Sequence, residues 1–239
     1  MALTPLIATE VKNKHRWSVD SVKSKDVIVR ERNTPIFADN PGLIDECINE
    51  ALEIQHADRV QSTLGKCADY ALVGAAVLSE LFPGHFAIVA GGEVIDCGGG
   101  RYLVLSPTRS ARRSAQKLED LREYHCWIEH QPIDGDTSQP QYIIDFTVRH
   151  DKATVESFGE AFDREISKPY IWLPVDAHEL FLPPELAESL LFRGRDSIYW
   201  SDKRTTALLK EYGAGKTGLV SKCSAAFFTR LAEKMASLS

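Results

Sequence analysis

Cys67, His125 and Asp145 are the residues of this chain whose types and order suit covalent chemistry. Cys67 falls where a polar stretch, residues 61–66, runs into an apolar helical pattern. A helix N-terminus offers free backbone N–H groups and a partial positive charge, and both favour a thiolate. The thiolate is the nucleophilic form of cysteine, so a reactive thiol belongs at such a joint. The structural alternative is a small hydrophobe packed at a helix start. His125 and Asp145 lie on two later strand-like segments, 124–130 and 142–148. Adjacent strands would bring imidazole and carboxylate within hydrogen-bond reach, and the helix tip would bring Cys67 to the other side of the ring. Cys67 would then attack a carbonyl carbon. His125 would take the thiol proton and return it to the leaving group, while Asp145 fixes the tautomer and stabilises the charged ring. The oxyanion would find one donor in the backbone N–H of Cys67 and a second in the side-chain amide of Gln61, six residues upstream.

These residues need elements to hold them. Leu43, Ile44, Cys47, Ile48, Ala51, Leu52 and Ile54 recur at helical spacing and predict a helix from about 43 to 58. Ala71, Leu72, Ala75, Ala76, Leu78 and Leu81 predict a helix apolar on most faces, and hence central, that stops before Pro83-Gly84. Small residues at Ala68, Ala71, Gly74, Ala75 and Ala76 would let neighbouring backbone approach it closely. Residues 86–90, the pair Gly91-Gly92 and residues 93–97 read as strand, tight turn, strand. Gly98-Gly99-Gly100 reads as a second turn before a strand at 102–105. Period-two alternation puts His125, Trp127 and Glu129 on one face, with Cys126, Ile128 and His130 on the other. It also puts Asp145 with Ile143 and Thr147. Trp127 and Tyr70 are expected to be wall or core residues. A strand is expected at 27–30, turns at Asn33-Thr34-Pro35 and Asn40-Pro41-Gly42, and a polar loop at 132–140. Beyond Val148 the pattern predicts helices at 152–165, 183–193, 202–212 and 221–237, with an extended segment at 169–174.

Composition narrows the class. The 239 residues fit a single domain (1–239) with a catalytic core at 45–150 and a helical elaboration at 151–239. With 44% hydrophobic and 26% charged residues the chain is of the ordinary soluble globular kind. A formal net charge of -6 argues against a general nucleic-acid partner. The one dense basic group, Arg109, Arg112, Arg113 and Lys117, reads as a solvated helix face. No signal-type leader and no apolar run of about 18 residues is present, so no membrane partner is expected. The five cysteines are odd in number, widely spread and without a CxxC pair, which predicts a reducing, cytoplasmic setting. Neither metal nor cofactor is expected. A zinc set of Cys97, Cys126, His125 and His130 would need ligands from opposite faces of one strand. Gly98-Gly99-Gly100-Arg101 and Gly213-Ala-Gly-Lys-Thr217 lack the spacing and context of phosphate loops. Asp96 is a weaker competitor for the role of Asp145.

The ordered set resembles the transglutaminase-like branch of the papain-like cysteine enzymes. Gly65-Lys66-Cys67-Ala68-Asp69-Tyr70-Ala71 is similar to that family's Gly-x-Cys-x-x-x-Ala motif, His125-Cys126-Trp127-Ile128-Glu129 to its histidine strand, and Ile144-Asp145-Phe146-Thr147 to its Asp-x-Thr strand. The likeness covers roughly residues 45 to 150. Ala68 stands where papain-type enzymes have tryptophan, and Asp145 where they have asparagine; both favour the transglutaminase-like branch. Gln61 matches the spacing of papain-type proteases and is less usual in that branch. The resemblance implies an α+β, papain-like fold in which a central helix bearing the cysteine packs on an antiparallel sheet, with added C-terminal helices. It implies a cysteine-dependent amide hydrolase (protease, amidase or deamidase) working through a thioester. Its partner would be a peptide, a protein or a small amide substrate. Transglutaminase or acyltransferase chemistry, and a non-catalytic binding protein on the same fold, are the alternatives. The sequence carries no signal of oligomeric state.

Overall fold

In the computed structural model of the chain, residues 40–56, 66–131, 141–174 and 199–238 are described. The strand expected at 27–30, the turn at 33–35, Gln61, the loop at 132–140 and the helix at 183–193 lie outside them.

The first described helix, α1 (Pro41–His56), begins where the sequence suggested a turn. Asn40 accepts from the backbone N–H of Leu43 through its side chain at 3.3 Å, and Pro41 opens the first turn, where a missing N–H costs nothing. Its apolar stripe of Ile44, Cys47, Ile48, Ala51 and Leu52 is buried. Helix α2 (Lys66–Leu81) is buried along almost its whole length, as its composition requires. A Cβ on Gly74 would stand 2.7 Å from Ile128 and 2.9 Å from Phe146, so the helix lies on the sheet at a distance only glycine allows there.

The sheet is mixed in neighbours but antiparallel throughout. Strand β1 (His85–Gly98) pairs with β2 (Arg101–Leu105), β3 (His125–Gln131) and β6 (Tyr199–Ser201); β3 pairs with β4 (Tyr142–Asp145), and β4 with β5 (Ile171–Pro174). Gly91 and Gly92 are not a turn. They continue β1, and β6 crosses them so closely that a Cβ on Gly91 would lie 1.9 Å from the carbonyl oxygen of Trp200. Glycine there serves close backbone approach rather than chain reversal. The true reversal is at Gly98, Gly99 and Gly100, all with positive φ.

Registers place three strands around the middle of β1. Gly91 has partners on both sides, His125 and Ser201; so has Glu93, with Leu105 and Tyr199. Strands β3 and β2 therefore follow one another along one edge of β1, with β6 on the other. The end of β2 and the start of β3 meet beside Gly92, and His125 is the first residue of β3.

The strand expected to run to 148 stops at Asp145. Oδ1 of Asp145 accepts from the backbone N–H of Thr147 at 2.8 Å and from its hydroxyl at 2.5 Å, and this local bond bends the chain away from the sheet. A 3-10 turn (Val148–His150) leads into α4 (Asp151–Ser157), which follows the short α3 (Arg109–Ser114) in chain order. Helix α4 ends well short of residue 165, with Gly159 at φ +79°. The region after 150 is not only helical, since β5 and β6 complete the sheet. It then gives α5 (Lys203–Ala214) and α6 (Thr217–Leu238), joined by a turn at Gly215. Gly213 packs on Leu72 and Lys216 lies over the Tyr212 ring, so this glycine-rich stretch is a packed helix junction.

Helices α1, α2, α5 and α6 share one core with the sheet face carrying Ala90, Cys126, Ile128 and Ile144. The opposite face carries Val89, Trp127, Ile143 and Tyr199. The architecture is α+β. Among the described residues no helix is long and apolar enough to cross a membrane.

Candidate active site

Cys67 is the second residue of α2, in the turn whose N–H groups are unsatisfied within the helix. It opens onto a cleft of about 320 Å³ whose wall includes Lys66, Glu93, Tyr124, His125 and Asp151. The cysteine, the histidine and the aspartate singled out by the sequence come together at this end of the molecule.

His125 and Asp145 are joined directly. Nε2 of His125 lies 2.8 Å from Oδ2 of Asp145, and both side chains are buried. The same Oδ2 accepts from the hydroxyl of Tyr199 at 2.9 Å. With Thr147 on Oδ1, the carboxylate has four partners, which is close to its capacity. Burial alone would raise Asp145; the His125 charge and these hydrogen bonds outweigh it and hold the group below the usual carboxylate range. Asp145 is thus a fixed anion. Burial pulls the His125 imidazole down, but the charges of Glu93 and Asp145, and the bonds to Asp145 and Cys67, raise it well above its ordinary value. Trp127 stacks nearly parallel to the ring, at 10° and 6.3 Å between centroids, and forms the wall expected of it.

The Cys67 thiol is brought down to about 6. The largest cause is a hydrogen bond with Cys126; burial opposes it, and the hydrogen bond and positive charge of His125 add to the lowering. Cys126 itself is pushed well above the ordinary thiol range, first by burial and then by Cys67. It therefore keeps its proton and donates S–H to the Cys67 sulfur. Although Cys126 and His125 leave β3 on opposite faces, both meet Cys67, because α2 begins beside the start of that strand. The lowered thiol and the raised imidazole together favour a thiolate facing an imidazolium.

Three participants are invisible to sequence pattern. Glu93 places Oε2 3.0 Å from Nδ1 of His125 and is only 4% exposed. Tyr199 arrives from a three-residue strand far along the chain. Asp151 borders the cleft, its carboxyl held well above the usual range by burial and then by the charges of Glu93 and Asp145. A charged residue at a buried strand position, as at Glu93, is the one hint the sequence offers.

The other candidates fall elsewhere. Asp96 accepts from the N–H of Gly98 at 2.9 Å and pairs with Arg164 at 3.5 Å, which makes it a hairpin residue. His130 lies 3.4 Å from the carbonyl oxygen of Pro83, and Cys97 bonds to the carbonyl of Ile95. Among the described residues Cys97, Cys126, His125 and His130 do not form a ligand group. Glu93, His125 and Asp145 do present three donor atoms within 4.8 Å of one another. Asp145 is saturated, however, and the two carboxylates face different ring nitrogens, an arrangement that suits proton handling better than a shared metal. The basic group lies partly on α3, a surface helix on which Arg112 pairs with Asp202 at 3.3 Å.

No family model, no curated protein and no solved structure matches this chain.

Proposed function

We propose that this chain is a cysteine-dependent amide hydrolase of the papain-like, transglutaminase-like kind, with Cys67, His125 and Asp145 as its triad. The observation that carries the reading is the bond from Nε2 of His125 to Asp145, with the other side of the same ring against a thiol held at about 6. With Asp145 on Nε2, Nδ1 is the nitrogen that serves Cys67.

The chemistry follows from these positions. The Cys67 thiolate attacks the carbonyl carbon of an amide, and the oxyanion forms near the backbone N–H of Cys67 at the head of α2. The imidazolium gives its Nδ1 proton to the leaving nitrogen as the C–N bond breaks, and a thioester remains on Cys67. Neutral His125 then takes a proton from water, which attacks the thioester and returns the thiol. Gln61, outside the described residues, retains its proposed part as second oxyanion donor. Substrates in keeping with the cleft are peptides, proteins or small amides. Five free cysteines support a reducing, cytoplasmic setting.

The test is intact-mass analysis after incubation with a glutamine-based chloroketone. One adduct, mapped to Cys67 and lost in Cys67→Ala and His125→Ala, is expected. Adducts scattered over several cysteines, or none, would count against the assignment.

A further inference from the structure

Glu93 lies against the catalytic ring without being part of the triad. Its Oε2 approaches Nδ1 of His125 to 3.0 Å, the nitrogen that Asp145 leaves for the thiol, but the contact is off the N–H axis, so this buried oxygen has no aligned donor. Each element around it brings a titratable group: His125 on β3, Asp145 on β4, Tyr199 on β6, Asp151 on α4 and Cys67 on α2. Lys66, Arg122 and His150 stand on the wall of the same cleft. A second cavity, of about 380 Å³, shares Glu93, Ile95 and Asp151 with the first. Glu93 thus borders both cavities.

We propose that Glu93 is a positioning residue for His125: ionised, it draws the Nδ1 proton away from Cys67, and protonated, it leaves that proton to the thiolate and the leaving group. The proposal rests on the reading of Cys67 as nucleophile and His125 as its proton donor. Its balance is one proton. A solvent proton forms an O–H bond on the Glu93 carboxylate, and the imidazolium keeps both of its N–H bonds. The Tyr199 hydroxyl, which donates to Asp145 at 2.9 Å, also hydrogen-bonds with the Glu93 carboxylate and favours its ionised form. Burial pushes the Glu93 carboxyl up, His125 pulls it down, and the charges of Asp145 and Cys67 push it up again, leaving it at about 7. The exchange thus falls near neutrality, close above the titration of Cys67.

The experiment is the rate of carbamidomethylation of Cys67 by iodoacetamide, between about pH 5 and pH 9, in the native chain and in Glu93→Gln. Two inflections are expected in the native chain, near 6 from Cys67 and near 7 from Glu93. Glu93→Gln keeps the lower and loses the upper. A merely structural Glu93 would change the height of the curve and not its number of steps. Superimposable curves with an activated Cys67 overturn the proposal and leave the triad standing. A Cys67 that titrates as an ordinary thiol in both proteins overturns the triad, and this proposal with it, by a different signature. If Glu93→Gln does not fold, ¹⁵N NMR of His125 in the native chain decides: Nδ1 must respond to a titration near pH 7 that Nε2 does not share, and a silent Nδ1 overturns the proposal.

Discussion

The hydroxyl of Tyr199 donates to Oδ2 of Asp145 at 2.9 Å and so ties a strand 54 residues further along the chain to the carboxylate that holds His125. The tie makes the region after residue 150 part of the site. Tyr199→Phe keeps the ring and its packing beside Trp127, at 5.2 Å between centroids, and removes only the donor. Hydrogen bonds to charged groups are worth about 1.5–3 kcal/mol, and Asp145 keeps three other partners. We expect a loss of about 1–2 kcal/mol in denaturant unfolding, at the low end because those partners remain. The His125 imidazole should also titrate at a different pH by NMR. An unchanged imidazole titration would mean that the hydroxyl does not act on the Asp145–His125 pair.

Cys67 should be the fastest-reacting thiol of the five at pH 6. At that pH half of a thiol held at about 6 is thiolate. A thiol at the ordinary value of 9.0 has roughly a thousandth in that form. The lower basicity gives back part of the gain, since nucleophilicity falls as pKa falls, and the net advantage is about 20-fold. Burial drives the competitors the other way: Cys47 to about 12 and Cys223 to about 11, with Cys97 and Cys126 also raised. Peptide mapping after brief iodoacetamide treatment measures this. His125→Ala should reduce the advantage by the share that the imidazolium supplies, while the larger contribution of the Cys126 hydrogen bond remains.

What could be read in advance divides along physical lines. His125, Trp127 and Asp145 were legible because alternation on a strand fixes faces regardless of the rest of the fold. Cys67 was legible because the switch from polar residues to a helical apolar run marks a helix start. Gly91-Gly92 was misread because a glycine pair signals both a turn and a close crossing of chains, and only the position of Trp200 separates the two. Glu93 and Tyr199 escaped for a related reason. Their importance comes from facing His125 and Asp145 across β1 and β6, a pairing between distant segments that no local spacing encodes. The stop of β4 at Asp145 was hidden because it is caused by a side chain bonding to its own downstream backbone.

His150 supplies a pH dependence of stability. It borders the cleft and lies 3.3 Å from the Tyr70 hydroxyl, which itself donates to Asn49. Burial, then the charges of Lys66 and Arg149, bring its imidazole down to about 4 from 6.5. The folded state thus favours the neutral ring more than the unfolded chain does. Its contribution is fully present above 6.5 and is lost as the pH falls from there toward 4. The lowered Asp145 acts below 3.8, and so is separable. His150→Gln should flatten the fall in the urea midpoint between those limits, and a variant with the native pH dependence would place the titration elsewhere.

Gly91→Ala tests whether the crossing of β6 over β1 holds the site together. The added methyl would meet the Trp200 carbonyl oxygen at 1.9 Å and the Ser201 Cα at 3.0 Å, both backbone atoms that cannot rotate aside. Overpacking usually costs about 1–3 kcal/mol, and a clash with backbone belongs at or above the top of that range. Relief requires β6 to move, and β6 carries Tyr199 away from Asp145. The variant should therefore lose both stability and the low titration of Cys67, read by the alkylation rate against pH. Gly218 in α6 is the control, since a Cβ there meets nothing within 4 Å and its φ is ordinary. Gly218→Ala should gain roughly 0.5–1 kcal/mol, as alanine replaces glycine in a helix, with Cys67 unaffected. If Gly91→Ala were as well tolerated as Gly218→Ala, β6 could not be clamped on β1 at the distance described.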